Sequence, residues 1–179
     1  MPRIFLGIFC PSLILSNITP LLTELNTIPN CHATEKNQCH ITLHFFGEVQ
    51  HSEIPQIIEK TQSVLNNFTS FPIQIENINT FGYRIMYLEA NHQILTQLTQ
   101  DLATTLGILD HHPKTIPHIT IARQKISLNP TNPELLDFLK KYQLTKIGIF
   151  TPTKICLIQS NLTDTGSEYK ILHEFPLKP

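Results

Sequence analysis

Two four-residue segments share one pattern: residues 40–43 read HITL and residues 118–121 read HITI. Both lie in runs rich in β-branched and aromatic residues, so each predicts a β-strand. Side chains alternate along a strand, which gives each segment one apolar face and one face with an imidazole and a hydroxyl. The fold must therefore bury one side of both strands and leave the other side available for chemistry.

The remaining periodicity predicts strands and helices in mixed order. Strands are predicted at 3–9, 39–46, 71–78, 84–90, 117–122, 146–150, 154–160 and 168–175. Helices are predicted at 13–26, 52–67, 92–106 and 133–142, with Ser52 as an N-cap, and the polar segment 26–38 is predicted to be a loop. Several strands follow each other through short turns, which favours an α+β fold with antiparallel sheets over a doubly wound parallel sheet.

Each half of the chain contains the order strand, helix, strand, helix, with one His-x-Thr strand apiece. This order indicates an internal duplication into two lobes. No linker or low-complexity segment divides the sequence. We therefore predict a single two-lobed domain spanning residues 1–179.

The composition excludes several function classes. A net charge of -1 over 179 residues argues against bulk attraction to nucleic acid, although a nucleotide or an RNA end needs only a few local cations. No run of 18 or more apolar residues occurs, and residues 1–17 are interpreted as a strand and a helix start instead of a signal peptide. The four cysteines form no dense framework, which predicts reduced thiols and a cytoplasmic location.

Two facing imidazoles suit metal-free cleavage of a phosphoester. An unperturbed histidine titrates near 6.5, so one imidazole can accept a proton while the other donates one. Thr42 and Thr120 can donate hydrogen bonds to phosphoryl oxygens, and Arg123 is the nearest candidate cation. Strict alternation places Arg123 on the face opposite Thr120, so this assignment requires a twisted or bulged strand end.

Other interpretations of these residues remain open. A histidine in a strand is often a structural residue, and threonine is a good strand former. Cys31, His32, Cys39 and His40 suggest a zinc site, but their spacing fits no common zinc pattern and adjacent strand residues diverge. The chain could also be a binding module without catalysis, which would not require both histidines and both threonines.

The chain resembles the two-histidine phosphoesterases, most closely the bacterial and archaeal RNA 2′,3′-cyclic phosphodiesterases of the LigT type. The resemblance rests on the segments PRIFLGI, HITLHFFGEV, FGYRIMYLEA, PHITIARQK and LIQSNLTDTGSEYKILHEFPL, in that order. It implies two pseudo-symmetric lobes whose antiparallel sheets line a central cleft, with helices on the outside. It also implies hydrolysis of RNA or nucleotide 2′,3′-cyclic phosphate ends to 2′-phosphates, with 2′,5′ RNA ligation as a related activity.

By position, the resemblance implies that His118 is the general base and His40 the general acid. Thr42, Thr120 and Arg123 would bind the phosphate. It implies no metal and no other cofactor, RNA or nucleotide ends as partners, no membrane, and a monomer. A relative that acts on another cyclic or 2′,5′-linked nucleotide would carry the same motifs.

Three further residues are candidates for substrate binding. Alternation places His44 on the face of His40 and Thr42, where it would add an imidazole to the cleft. Tyr83 and Arg84 stand at the start of a strand, where Tyr83 could stack on a base.

Overall fold

A computed structural model describes residues 1–82, 84–107, 116–124, 132–163 and 166–179. Its strands are β1 (Arg3–Phe9), β2 (Cys31–Ala33), β3 (His40–Glu48), β4 (Ile73–Phe81), β5 (Ile85–Asn91), β6 (His118–Gln124), β7 (Lys146–Phe150), β8 (Lys154–Thr163) and β9 (Gly166–Pro176). Its α-helices are α1 (Ser12–Leu25), α2 (Ile54–Leu65), α3 (Gln93–Leu106) and α4 (Pro133–Tyr142), and short 3₁₀ turns cover Lys36–Gln38 and His51–Glu53. No helix in these ranges is long and apolar enough to cross a membrane.

The strands form one sheet in the order β7-β4-β5-β6-β3-β1-β8-β9, with β2 paired to β6. Every pairing between these strands is antiparallel. The sheet has two halves: β3, β1, β8 and β9 form the first half-sheet, and β6, β5, β4 and β7 form the second. The halves meet at the seam between β3 and β6, where Ile41 lies opposite Ile119.

The two half-sheets are related by an approximate twofold symmetry about the seam. Outward from the seam, β3 corresponds to β6, β1 to β5, β8 to β4, and β9 to β7. The connection β1-α1-β3 then corresponds to β5-α3-β6. The α+β class with antiparallel strands and two pseudo-symmetric halves is thus confirmed.

The helices cover the sheet face opposite the histidines. The apolar stripe of α3 buries Leu95, Leu98 and Leu102 completely, and α3 packs against β3. The stripe of α1 buries Ile14 and Ile18, and α1 packs against β7, β2 and β6. Because this face buries the apolar residues of both HITx segments, the imidazoles are left on the other face.

Most predicted elements form close to their predicted bounds, and the differences have local causes. Helix 133–142 and strand 146–150 match their predicted ranges. The predicted loop 26–38 contains β2, which pairs with the end of β6. Ser52 is not the N-cap of α2, because a capping box between Gln50 and Glu53 starts a 3₁₀ turn first and α2 begins at Ile54.

The seam supplies a stability prediction. Ile119 is fully buried at the junction of the half-sheets, so Ile119→Ala leaves a cavity at this junction. We expect the free energy of unfolding to fall by about 2–5 kcal/mol, measured by urea denaturation. Ile149→Ala on β7, where the side chain is 59% exposed, should cost under about 0.5 kcal/mol. Equal losses in the free energy of unfolding for the two variants would contradict the prediction that Ile119 at the seam stabilises the fold more than Ile149 does.

Candidate active site

A β-bulge follows the first His-x-Thr motif and changes which residues share its face. Thr42 pairs with Gly7 and His44 pairs with Leu6, so Leu43 is the extra residue in β3. Leu43 and His44 are consequently both buried on the core side. Alternation resumes one position late, and Phe45 returns to the face of Thr42.

The second motif has a bulge at the corresponding place. Thr120 pairs with Tyr87 and Ala122 pairs with Met86, which leaves Ile121 as the extra residue in β6. Ile121 and Ala122 are both fully buried. The next side chain, Arg123, is therefore exposed on the face of Thr120, where strict alternation would not place it.

His40 is held by contacts with residues two positions away on either side. Its Nδ1 lies 2.6 Å from the carbonyl oxygen of Gln38, which only accepts, so Nδ1 carries the hydrogen. In the neutral ring Nε2 then accepts from the hydroxyl of Thr42, at 3.1 Å. The ring centroid is 4.8 Å from that of Phe5. These contacts fix the tautomer and leave Nε2 as the atom that exchanges a proton.

His118 is held in the same way. Its Nδ1 lies 2.7 Å from the carbonyl oxygen of Ile116, again two residues earlier. Its ring lies edge-on to Phe81 and Tyr87, at centroid distances of 5.1 and 5.2 Å. Both imidazoles therefore have an aromatic neighbourhood, a backbone carbonyl on Nδ1, and Nε2 as the reactive nitrogen.

Burial lowers the pKa of both histidines, because a half-buried imidazolium loses hydration. The carbonyl on each Nδ1 opposes this change by favouring the charged ring, while the positive charge of Arg123 lowers both pKa values further. The charge of His118 also lowers the pKa of His40. Protonation of His40 is therefore less favourable when His118 already carries a proton.

Tyr169 of β9 belongs to this site, although the sequence analysis gave it no role. Its ring lies edge-on to His40 at 5.3 Å, and burial raises its pKa while the charge of Arg123 lowers it. Arg123, His40 and Tyr169 thus occupy one region that spans the two half-sheets. Tyr169 shares a face of β9 with Ser167 and Ile171, because side chains alternate along a strand. This alternation is the sequence signal that could have indicated which face Tyr169 occupies.

Gln38 has a positioning role that leaves no sequence signal. Its side-chain Nε2 donates to the carbonyl oxygen of Ser167 at 2.6 Å, which ties the 3₁₀ turn to β9. The carbonyl of the same residue orients His40. A contact made by the backbone does not depend on residue type, so no motif marks it.

The prediction for His44 is wrong. The bulge at Leu43 turns its ring into the core, where it packs edge-on to Phe46 at 4.6 Å. Burial lowers its pKa, and its Nε2 has no hydrogen-bond partner among the described residues. Arg84 is exposed beside Ile85, which pairs with Arg123. Tyr83 lies outside the described residues.

The zinc alternative gains no support from the positions of its residues. Cys39 is buried on the core side and His40 is on the opposite face. In the part of the chain that the structure describes, no group of three or more His, Cys, Asp or Glu side chains could hold a metal ion. Burial raises the pKa of the Cys31 and Cys39 thiols to about 11, which makes both poor sources of a thiolate.

The chain is similar in sequence to proteins of a known family. Residues 16–164 match the family model of the 2′-5′ RNA ligase superfamily. The chain is 30% identical to an RNA 2′,3′-cyclic phosphodiesterase of Archaeoglobus fulgidus over 182 residues, which cover 97% of this chain and 99% of that protein. It is 27% identical to an RNA 2′,3′-cyclic phosphodiesterase of Methanocaldococcus jannaschii over 179 residues, with coverage of 97% and 99%.

Solved structures share the fold at lower identity. A protein of Thermus thermophilus aligns with a TM-score of 0.84 at 21% identity and 98% coverage of both chains. LigT of E. coli in complex with 3′-AMP aligns with a TM-score of 0.76 at 18% identity and full coverage of both chains. These likenesses concern the fold of the whole chain.

The burial of His44 predicts a change in acid stability. The folded state favours the neutral ring, whereas the unfolded chain binds a proton below about pH 6.5. The unfolded state therefore binds more protons as the pH falls below 6.5, and the free energy of unfolding decreases. We expect the Tm of His44→Leu to fall less between pH 7.5 and pH 5 than that of the unmodified chain. His51→Leu, at an exposed position, is the matched control, and an equal fall in all three proteins would contradict the prediction.

Proposed function

The chain belongs to the 2′-5′ RNA ligase superfamily, and from this membership we propose that it opens 2′,3′-cyclic phosphates at RNA or nucleotide ends to 2′-phosphates. The membership confirms the family predicted from the sequence. The observation that carries the proposal is the pair of matched imidazoles, each with a carbonyl on Nδ1, on the sheet face that also bears Arg123. The relatives named as RNA 2′,3′-cyclic phosphodiesterases support the choice of substrate.

The proposed reaction is an attack by water on the cyclic phosphorus. Nε2 of His118 accepts a proton from the water as its oxygen forms the new P–O bond. The bond between phosphorus and O3′ breaks, and Nε2 of His40 gives its proton to the leaving O3′. The product is a 2′-phosphate with a free 3′-hydroxyl. Proton exchange with solvent then returns His118 to the neutral form and His40 to the charged form.

The surrounding groups stabilise the charge that develops on the phosphoryl oxygens. Thr42 and Thr120 are half-buried on the histidine face and supply hydroxyl donors, and Arg123 supplies a positive charge. The carbonyls on Nδ1 keep each ring in the tautomer that the reaction needs. Each carbonyl also stabilises the imidazolium, which offsets part of the cost of burial.

The two histidines have different roles in the proposed reaction. A pair that holds one proton has one base and one acid available at the same time. The negative charge of a bound phosphate favours protonation of both rings and so opposes the effect of Arg123. We assign the acid to His40 and the base to His118 from the family resemblance.

The first test is turnover of adenosine 2′,3′-cyclic phosphate in excess EDTA, with the product isomer identified by chromatography. We expect 2′-AMP, and we expect His40→Ala and His118→Ala each to lower kcat by about 10²-fold or more. The double variant should lose much less than the product of the single losses, because the pair acts as a unit. His51→Ala, which removes an exposed histidine, should keep the full rate.

Three outcomes would contradict the proposal. They are no turnover of the mononucleotide or of a cyclic-ended RNA, a requirement for added metal, and a near-full rate in either histidine variant. A substrate with sulfur in place of O3′ distinguishes the two roles, since a thiolate leaves without protonation. This substrate should restore the rate of His40→Ala and not that of His118→Ala. The reverse result would exchange the acid and the base.

The lowered pKa values predict an acidic optimum for kcat/KM, which reports on the free protein. The base must be neutral, so kcat/KM rises as the pH increases through the pKa of the base. The acid must be charged, so kcat/KM falls as the pH increases above the pKa of the acid. Because both pKa values lie below 6.5, the resulting bell should centre below pH 6.5. Arg123→Gln removes one cause of the lowering, so its bell should move to higher pH with a reduced maximum. A flat profile from pH 5 to 9 would remove acid–base catalysis.

A further inference from the structure

The approximate twofold symmetry of the sheet is broken beside the histidines. In the first half-sheet, Phe9 of β1 is the cross-strand partner of His40. In the second half-sheet, the equivalent partner of His118 is Glu89 of β5. One histidine is thus flanked by an aromatic ring and the other by a carboxylate, so the two ends of the site differ in the groups that they can bind.

Glu89 is half-buried and accepts hydrogen bonds from three amide side chains. Asn77 Nδ2 lies 3.0 Å from Oε2, Asn79 Nδ2 lies 2.5 Å from Oε1, and Asn91 Nδ2 lies 3.5 Å from Oε2. Asn91 Nδ2 also lies 3.1 Å from Oε1 of Glu76, which stands opposite Glu89 in β4. A carboxylate only accepts, so each of these amides must turn its NH₂ inward. Their carbonyl oxygens are left for other partners, and this end of the site is rich in acceptors.

Charge differs along β5 and β6 from one end of the site to the other. Arg123 lies at one end, and Glu89 lies beside His118 at the other. Within the described ranges Glu89 forms no ion pair. Burial raises the pKa of the neighbouring Tyr87 hydroxyl, and the charge of Glu89 raises it further. A phosphate is attracted to the arginine end and repelled from the Glu89 end.

We infer that Glu89 is a specificity-determining residue that accepts a hydrogen bond from the exocyclic amine of the terminal nucleobase. This inference rests on the proposed function, because it takes the cyclic phosphate to lie between His40 and His118. The protein should then prefer ends that terminate in adenosine, cytidine or guanosine over ends that terminate in uridine.

Beside the cyclic phosphate, the base of the terminal nucleotide is the donor that differs from one substrate to another. Both the 2′ and the 3′ oxygens of the terminal ribose are esterified, so neither carries a hydrogen. Adenine, cytosine and guanine each present an NH₂ group at the base edge, whereas uracil presents two carbonyls with a single N–H between them. The carbonyls of uracil would face the carboxylate and the amide oxygens, and like partial charges repel.

The test compares kcat/KM for the four nucleoside 2′,3′-cyclic phosphates. We expect the unmodified protein to favour the three amino-bearing bases over uracil by about tenfold, as a hydrogen bond to a charged acceptor allows. Glu89→Gln keeps the shape of the side chain, can itself donate to uracil, and should bring the ratio close to one. Glu59→Gln removes an exposed carboxylate from α2 and should keep the ratio of the unmodified protein.

Equal kcat/KM for all four substrates in the unmodified protein would overturn the inference, whether or not Glu89→Gln folds. An equal loss on all four substrates in Glu89→Gln would also overturn it, because a general structural role predicts that result. If no cyclic phosphate is turned over, the proposed function fails, and calorimetric Kd values for 2′-AMP and 2′-UMP then decide the inference separately. Tighter binding of 2′-AMP that Glu89→Gln abolishes supports the inference, and equal binding overturns it.

Discussion

The extra residue that follows each threonine decides what this site contains. Without the bulge at Ile121, Arg123 would point into the core. Without the bulge at Leu43, His44 would stand beside His40 and Phe45 would be buried in its place. In each strand the bulge follows the histidine and the threonine, and it shifts the alternation of the later side chains by one position. The same backbone irregularity thus places a cation, Arg123, on the histidine face in one half-sheet and an aromatic ring, Phe45, on that face in the other.

Burial and charge oppose each other around both imidazoles. Aromatic neighbours exclude water and disfavour the charged ring, while the carbonyl on Nδ1 favours it. A proton-transfer group needs both forms within reach near the working pH. Under the proposed mechanism, the lowered pKa values favour a neutral base, and the negative charge of a bound phosphate would favour the charged acid.

The sequence pattern predicted the helices and most strands of this molecule but not its β-bulges. Apolar residues spaced two apart or at helical spacing indicated the α+β class. The helix predicted at 133–142 has the same bounds in the structure. Alternation correctly placed Thr42 with His40, because no bulge lies between them. Alternation placed His44 on the wrong face, because a bulge has no residue signature in a single sequence. For Arg123, alternation required a bulged strand to reach the histidine face, and the structure has that bulge at Ile121.

Among the residues that the structure describes, the two half-sheets are joined at the seam by one registered pair, Ile41 opposite Ile119. Ladder hydrogen bonds therefore contribute little to the separation of the imidazoles, and apolar side chains beneath the seam act as the spacer between them. The distance between the two imidazoles then depends on the number of methylene groups in side chains that contact no substrate. Apolar substitutions in the core can therefore change the relative position of the two histidines while every polar group of the site is conserved.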